Sequence, residues 1–267
     1  MGEHAVVWAV RDVTIDGETL HVESAGAADL DDVIVFCHGL GGAHGVWYQQ
    51  VAHFAGRYRT VTWDARGFGR STNRGGKGTV ATAAADLASV LDALGVGQAH
   101  VVGQSMGGWT ALGFALADPD RVRSLVLTNS LAGVAADQWA AAAAQAPPPP
   151  APTLGAHPAL GPTMRRDDRA KAFLYQQLGS ALPPPAEARS SLFTTSFSDA
   201  RVAGLSCPVL VIASSDDRIF PAPLVEAAAA RLPGARFALI DGAGHSTFFE
   251  RPTAWNAVVD AFLSDLH

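Results

Sequence analysis

Two hydrophobic patterns alternate along most of the chain: short continuous apolar runs, and longer segments in which apolar residues recur at helical spacing. Short continuous runs are typical of strands that are buried on both faces of a parallel sheet. They occupy residues 33–37, 58–63, 99–102, 122–128, 209–214 and 237–240. Helical spacing lies between them, most clearly over 79–94, 224–232 and 252–266. The alternation predicts an α/β fold with a mostly parallel, doubly wound sheet and helices on both faces.

The N-terminal segment has a different pattern, in which apolar and polar residues alternate at 5–13 and again at 19–24. Such alternation is typical of strands with one exposed face. Asp16-Gly17 lies between the two stretches, and this dipeptide favours the type I′ turn of a two-residue β-hairpin. The sequence therefore predicts a hairpin ahead of the parallel strands.

The composition changes between residues 131 and 203. An alanine run at 140–144 leads into four prolines at 147–150, whereas helical spacing predicts helices over Arg165–Leu178 and Glu187–Phe197. A disordered linker is the alternative, but the segment contains many large apolar side chains, which disordered chains lack. We therefore expect a small helical cap over residues 131–203, inserted into a core formed by residues 1–130 and 204–267.

Composition and charge exclude several classes of partner. The formal net charge is −6 and there are only two lysines, so no basic surface is available for nucleic acid or for an anionic membrane. No apolar run is long enough to cross a bilayer, and the N-terminus lacks the pattern of a secretory signal. Cys37 and Cys207 each lie in or beside an apolar run, which favours buried free thiols and a cytoplasmic location. We expect a small-molecule substrate as the partner.

A candidate nucleophile lies where the run at 99–102 meets a helical pattern, in Gly103-Gln104-Ser105-Met106-Gly107. The spacing G-x-S-x-G is typical of a sharp strand-to-helix turn that exposes the serine hydroxyl at the N-terminus of a helix. Unpaired N–H groups there favour developing negative charge. An ordinary strand-to-helix turn is the alternative explanation, because two glycines flank a serine by chance in many proteins.

A serine hydroxyl needs a base to remove its proton, and nine histidines are candidates. His245 lies in a glycine-rich loop directly after the last predicted strand, whereas we expect a structural role for His38. The base in turn needs an acid. Asp216 and Asp217 follow the strand at 209–214, while Asn129 occupies the tip of the strand at 122–128. The acid is therefore expected from the Asp216-Asp217 loop, although a solvated turn would have the same sequence.

Five motifs occur in a recognisable order: His38-Gly39 after a strand, D-x-R-G-x-G-x-S from Asp64, G-x-S-M-G-G around Ser105, D-D-R-x-x-P from Asp216, and G-A-G-H ending at His245. Together they resemble the α/β-hydrolase family, over essentially the whole chain. The cap is in that family's customary place, between strands six and seven. The order of serine, aspartate and histidine is also the one that the family uses.

The resemblance implies a role for each of these side chains. Ser105 matches the nucleophile, His245 the base and Asp217 the acid, with Asp216 as a rival for the acid. The D-x-R-G-x-G-x-S motif resembles the family's structural turn beside the nucleophile helix. We assign it no chemistry.

The resemblance also implies an oxyanion hole, formed by the backbone N–H groups of Leu40 and Met106. The walls of the substrate pocket are expected to be largely apolar. The aromatic candidates for them are Trp47, Trp139, Phe220 and Phe248.

The implied function is that of a serine hydrolase that cleaves a small ester, lactone or thioester. Ser105 excludes the dehalogenases and epoxide hydrolases of this fold, which have aspartate there. Hydrolysis of carbon–carbon bonds is an alternative, although those enzymes usually have asparagine where this chain has Gln104. A cofactor-free haloperoxidase or perhydrolase, and a small-molecule receptor, are further alternatives. No H-E-x-x-H, cysteine cluster or phosphate-binding loop is present, so we expect neither a metal nor another cofactor.

Overall fold

The computed structural model describes residues 6–27, 30–134, 157–179 and 183–266. Within these residues one sheet of eight strands has the order β1-β2-β4-β3-β5-β6-β7-β8. The first two pairings, β1 with β2 and β2 with β4, are antiparallel, and all later pairings are parallel. The strands are β1 Val7–Ile15, β2 Glu18–Gly26, β3 Val33–Cys37, β4 Arg59–Trp63, β5 Ala99–Gln104, β6 Val122–Thr128, β7 Val209–Ser214 and β8 Arg236–Ile240. The predicted α/β architecture is confirmed.

The predicted hairpin is formed by β1 and β2. Ile15 pairs with Glu18, so the turn contains two residues. Asp16 has φ 52° and Gly17 has φ 80°, the positive values that a type I′ turn requires at both positions.

Helices cover both faces of the parallel strands. Alternate residues of each buried strand point to opposite faces, so the continuous apolar runs contribute to two cores. The helices outside the β6–β7 connection are α1 Tyr48–Phe54, α2 Val80–Ala93, α3 Met106–Ala117, α8 Ala222–Ala229, α9 Thr247–Glu250 and α10 Pro252–Ser264. Val35 and Val101 pack on one face with α2 and α3, whereas Phe36 and Val102 pack on the other with α1 and α10.

The described residues between β6 and β7 form α4 Pro162–Asp167, α5 Arg169–Leu178, α6 Ala186–Thr194 and α7 Asp199–Val202. The prediction of a single helix over 165–178 is wrong. Asp168 has extended φ of −137°, and its side chain accepts from the N–H of Lys171, so it caps a new helix instead of continuing the first. The predicted helix over 187–197 corresponds to α6 but ends earlier. Trp139 and the alanine and proline runs at 140–150 lie outside the described residues.

Among the described residues, no helix combines the length and the apolar character needed to cross a membrane.

Candidate active site

Ser105 occupies a strained position between β5 and α3, with φ 51° and ψ −119°. A residue other than glycine rarely adopts positive φ, and such strain is concentrated at functional sites. Two glycines permit the turn. A Cβ on Gly103 would lie 2.4 Å from the carbonyl oxygen of Gly107, and one on Gly107 would lie 2.2 Å from that of Cys37. Both contacts are with backbone, so only glycine fits at either position.

His245 and Asp217 form a buried hydrogen-bonded pair. The distance from His245 Nδ1 to Asp217 Oδ2 is 2.8 Å. The other oxygen, Oδ1, accepts from the backbone N–H groups of Ile219 at 2.8 Å and Phe220 at 2.9 Å. These bonds fix the carboxylate in place and hold the imidazole with Nδ1 toward the acid. In the neutral ring, Nε2 is then the nitrogen that can accept a proton.

Ser105 and His245 line the same cavity, which has a volume of about 520 Å³. Gln104 precedes Ser105 at the end of β5, and its Nε2 donates to the carbonyl oxygen of His245 at 3.1 Å. The candidate nucleophile and base therefore share one site. Residues from the β6–β7 connection also line this cavity, including His157, Tyr175, Arg189, Leu192 and Phe193.

The two N–H groups of the expected oxyanion hole lie on the loop after β3 and at the start of α3. Leu40 lines the cavity beside Ser105. Met106 is the first residue of α3, where a backbone N–H has no acceptor within the helix. The loop is shaped by a hydrogen bond of 2.9 Å from the N–H of Gly42 to the carbonyl of Gly39.

His38 has the structural role that we expected. Its Nδ1 lies 2.9 Å from the carbonyl oxygen of Gly39, and its Nε2 accepts from the N–H of Ala65 at 3.1 Å. Burial lowers the pKa of His38 below its ordinary value, so the ring is neutral at pH 7. Both ring nitrogens are thus used to hold the loop.

The Asp64–Ser71 turn also supports this loop. The buried Asp64 carboxylate accepts from the N–H of Arg70 at 2.9 Å and from the N–H of His44 at 2.6 Å. It thereby joins the turn to the segment that follows Leu40.

The aromatic residues predicted to form the pocket walls have different positions. Phe220 lines the cavity. Trp47 and Phe248 do not. Both are buried in the core, where their rings stack with centroids 4.0 Å apart, and Trp47 also contacts Phe36 of β3 at 4.9 Å. Trp139 lies outside the described residues.

Asn129 is a residue of the site whose role sequence reasoning missed. Its Nδ2 lies 3.0 Å from Asp217 Oδ2 and 2.7 Å from the hydroxyl of Ser214, and its Oδ1 accepts from Thr247 Oγ1 at 2.7 Å. Its φ of 47° is one that asparagine tolerates better than most residues. A polar residue at the tip of β6, next to the strand that carries the acid, was the only available signal.

A second histidine of the cavity, His157, is held in a defined tautomer. Its Nδ1 accepts from the N–H of Ala159 at 3.2 Å, so the ring proton is on Nε2. Burial lowers the pKa of His157 to about 4. His157 is thus a neutral hydrogen-bond donor in the wall of the cavity rather than a base.

Glu250 joins the His245 loop to the β6–β7 connection. Its carboxylate accepts from the N–H of Gly244 at 3.0 Å and from the N–H of Gly161 at 3.0 Å. Burial raises the pKa of Glu250 to about 7, from an ordinary value of 4.5, because the ionised form loses water that these two bonds do not fully replace.

Replacing Glu250 by glutamine is expected to change how stability depends on pH. Between pH 4.5 and 7 the folded wild type retains a proton that the unfolded chain has released, so its free energy of unfolding falls as pH rises through this window. The fall is up to about 3 kcal/mol. In E250Q this contribution is absent. Urea denaturation at several pH values from 4.5 to 8 measures the free energy of unfolding of both proteins.

The exposed glutamate of α8 provides the matched control, Glu226→Gln. The stability difference between wild type and E250Q should shrink or reverse as pH rises, whereas the difference for E226Q should stay constant. A constant difference for E250Q would contradict the assignment.

The sequence matches the family described as alpha/beta hydrolase fold over residues 32–252. The chain belongs to the α/β-hydrolase family. This α/β hydrolase is 33% identical over 266 residues to a putative carbamate hydrolase, RutD, of Caulobacter sp. (strain K31), an alignment that covers 94% of this chain and 97% of the relative. It is 30% identical to 3-oxoadipate enol-lactonase 1 of Acinetobacter baylyi, with 94% and 95% covered.

A solved structure shares the whole α/β-hydrolase architecture. A thermophilic esterase from Thermogutta terrifontis superposes with a TM-score of 0.79 at 25% identity, covering 98% of this chain and 99% of the esterase. The protein is an enzyme of this hydrolase fold.

Proposed function

We propose that this α/β hydrolase is a cofactor-independent serine hydrolase that cleaves small carboxylic esters, lactones or thioesters through an acyl-enzyme. Ser105 is the nucleophile, His245 the base and Asp217 the acid. The observation that carries the proposal is that His245, hydrogen-bonded to Asp217 through Nδ1, lines the same cavity as the strained Ser105.

In the first half of the reaction, His245 Nε2 takes the Ser105 hydroxyl proton while Oγ forms a bond to the carbonyl carbon of the substrate. The carbonyl oxygen becomes negative and accepts from the N–H groups of Leu40 and Met106. Each such donor contributes about 3–4 kcal/mol to stabilising the transition state. The bond to the leaving group then breaks, and protonated His245 gives its proton to the departing oxygen or sulfur.

In the second half, water replaces the leaving group. His245 takes a proton from the water as its oxygen attacks the acyl carbon, and the tetrahedral intermediate forms in the same oxyanion hole. When it collapses, the proton returns to Ser105 Oγ and the carboxylic acid leaves.

The cavity supports a small, partly apolar acyl or lactone substrate. Its volume of about 520 Å³ lies within the range of roughly 300–1,000 Å³ of small-molecule sites. Ile219 and Phe220 line it from the β7 side, while Leu192 and Phe193 line it from the β6–β7 connection. The enol-lactonase and carbamate hydrolase names of the relatives also favour a compact carbonyl substrate.

The same lining supports a proposal for domain organisation. We propose that residues 131–203 form a cap on a core of residues 1–130 and 204–267, because α5 and α6 contribute Tyr175 and Arg189 to the cavity. Cys37 is a buried free thiol, which supports the proposed cytoplasmic location.

Labelling with a fluorophosphonate, followed by peptide mass spectrometry, tests this function. The reagent is expected to modify Ser105 and to abolish turnover of p-nitrophenyl acetate and of a simple lactone. Absence of labelling would show that Ser105 is not an activated nucleophile and would contradict the proposed acyl-enzyme. Turnover of a vinylogous diketone that exceeds that of every ester and lactone in a panel would instead indicate cleavage of carbon–carbon bonds.

Arg189 favours substrates that carry an anionic group. It lines the cavity from α6, and within the described ranges no ion pair joins it to a carboxylate. Other arginines of the same connection have different surroundings. Arg166 pairs with Asp167, and Arg165 Nε lies 3.4 Å from the carbonyl oxygen of Gly161.

Replacing Arg189 by glutamine is expected to raise KM about tenfold for an ester or lactone that bears a carboxylate. A charged hydrogen bond contributes about 1.5–3 kcal/mol, and exposure to solvent places this one at the low end. KM for neutral p-nitrophenyl acetate should change less than about twofold, since the lost interaction requires charge. Steady-state kinetics with both substrates measures the contrast.

Arg169→Gln removes an exposed arginine of α5 that does not line the cavity, and it should alter neither value. Equal changes for the charged and the neutral substrate in R189Q would show that Arg189 has no role in charge recognition.

A further inference from the structure

A cluster of metal-binding side chains lies outside the active cavity, where the hairpin meets the segment after Leu40. It consists of His21 and Glu23 on β2 and His44 at the start of the 3₁₀ turn His44–Trp47. His21 and Glu23 are two residues apart on one strand, so their side chains share a face of the sheet. One ligand atom from each of the three residues lies within 4.8 Å of the others.

The atoms that converge are ring nitrogens and a carboxylate oxygen. Glu23 Oε1 lies 3.1 Å from His21 Nε2 and 3.2 Å from His44 Nε2. In a tetrahedral site with bonds of about 2.0–2.1 Å, neighbouring ligand atoms are separated by roughly 3.3 Å. The two separations therefore match the edges of a zinc coordination tetrahedron.

The opposite nitrogen of each ring faces a second carboxylate. His21 Nδ1 lies 3.3 Å from Asp12 Oδ1, and His44 Nδ1 lies 3.0 Å from Asp64 Oδ2. A neutral imidazole has one N–H, so the lone pair of its other nitrogen points at a carboxylate and is repelled by it. Positive charge on the Nε2 side, from either a proton or a cation, removes this repulsion. Carboxylate contacts at the far nitrogen are also what orient metal-binding histidines in proteins.

Two further groups contact the cluster. Arg70 Nη1 lies 3.5 Å from His21 Nε2 and 3.9 Å from Glu23 Oε1, and Trp8 Nε1 donates to Glu23 Oε2 at 3.2 Å. The Arg70 side chain is 67% exposed, so it can turn toward solvent. Asp12, Glu23 and Asp64 place three negative charges around the site, and Arg70 neutralises only one of them. The two remaining negative charges match the charge of a divalent cation.

We propose that His21, Glu23 and His44 bind a zinc-type divalent cation through Nε2, Oε1 and Nε2, with water as the fourth ligand. Two imidazoles favour Zn²⁺, Co²⁺ or Ni²⁺ over Mg²⁺ and Ca²⁺, which prefer oxygen ligands. The serine hydrolase reaction does not use this ion. When occupied, the site joins the hairpin to the segment that carries Leu40.

Calorimetric titration of the untagged, EDTA-treated full-length chain with ZnCl₂ tests the proposal. We expect one Zn²⁺ per chain, reversal by EDTA, a higher Tm in the presence of Zn²⁺, and the visible absorption of four-coordinate Co²⁺ when cobalt is substituted. Glu23→Gln and His44→Gln should each weaken binding at least about tenfold. Absence of binding, or equal binding by the E23Q/H44Q double variant, would overturn the proposal and leave a network of shared protons.

Two more variants make the test independent of folding defects. His53→Gln removes a surface histidine that pairs with Asp260, and it should leave the affinity for Zn²⁺ unchanged. Arg70→Gln changes an exposed side chain and should tighten binding several-fold, because the guanidinium competes for Glu23. Tighter binding by R70Q, which a folding defect cannot produce, would place the ion beside Glu23.

Discussion

Replacing Ser105 by alanine is expected to lower kcat for a p-nitrophenyl ester by about 10⁴-fold or more. Among the described residues that line the cavity, Ser105 is the only serine or threonine, and it is held at the elbow between β5 and α3 with φ 51°. Without Oγ there is no acyl-enzyme, so the remaining turnover reflects water attacking a substrate that is merely bound. Stopped-flow and steady-state assays measure the loss.

The fold of S105A should be unaffected, since alanine accepts the same backbone angles at a similar cost and no core atom is removed. Circular dichroism and Tm should therefore match those of the wild type. Ser89→Ala, which changes a half-buried serine of α2 outside the cavity, serves as the matched variant and should retain full activity. If S105A retained more than a few per cent of the activity, the nucleophile would have to be another group.

Replacing Asp217 by asparagine is expected to lower kcat by about 10⁴-fold. Asp217 accepts four hydrogen bonds, from His245, Asn129, and the N–H groups of Ile219 and Phe220. Asparagine has one acceptor oxygen, which the two backbone donors retain, and its NH₂ then faces His245. The imidazole must adopt the tautomer with the proton on Nε2, which can no longer accept the proton of Ser105.

Asp216→Asn is the matched control, because Asp216 precedes the proposed acid and contacts only the Ser215 hydroxyl among the hydrogen-bonded side chains described. Its kcat should stay within about twofold of the wild type, a change within the range of surface substitutions. A large loss in D216N together with a small loss in D217N would reverse the assignment of the acid. Kinetics at several pH values distinguishes a changed tautomer from a misfolded site.

The parts of the fold that local chemistry determines could be predicted from the sequence. The Asp16-Gly17 turn follows from the positive φ values that these residues tolerate. The elbow follows from glycines at positions where a Cβ would collide with backbone. The alternation of apolar runs and helical spacing predicted the sheet, because a strand buried on both faces contributes apolar side chains to two cores.

Residues whose roles depend on distant neighbours could not be assigned. Trp47 and Phe248 follow loops near the site, and only the packed structure shows that they stack on each other in the core. In the sequence, Asn129 is only a polar residue at the end of a strand. The structure shows its role, because Asp217, which follows β7, lies 3.0 Å from it. The helix break at Asp168 was missed because its capping bond competes with helical spacing that continues across it.

The cluster of His21, Glu23 and His44, which we propose binds a divalent cation, was missed for a related reason. Searching for H-E-x-x-H assumes ligands on one helix, whereas His21 and Glu23 are two apart on a strand and His44 is remote in sequence. A pair at this spacing points to one face of a sheet, but the third ligand depends on how the next loop folds back.

The hydrogen bond from Gln104 to His245 links the end of β5 to the loop that follows β8, and so ties the proposed nucleophile to the proposed base within the sheet. The connection between β6 and β7 supplies Tyr175, Arg189 and Leu192 to the cavity. Ala159 and Gly161 of the same connection bond to the His245 loop, directly and through Glu250. Changes in α5 and α6 can therefore alter substrate preference alone, whereas changes near Gly161 would also disturb the proposed base.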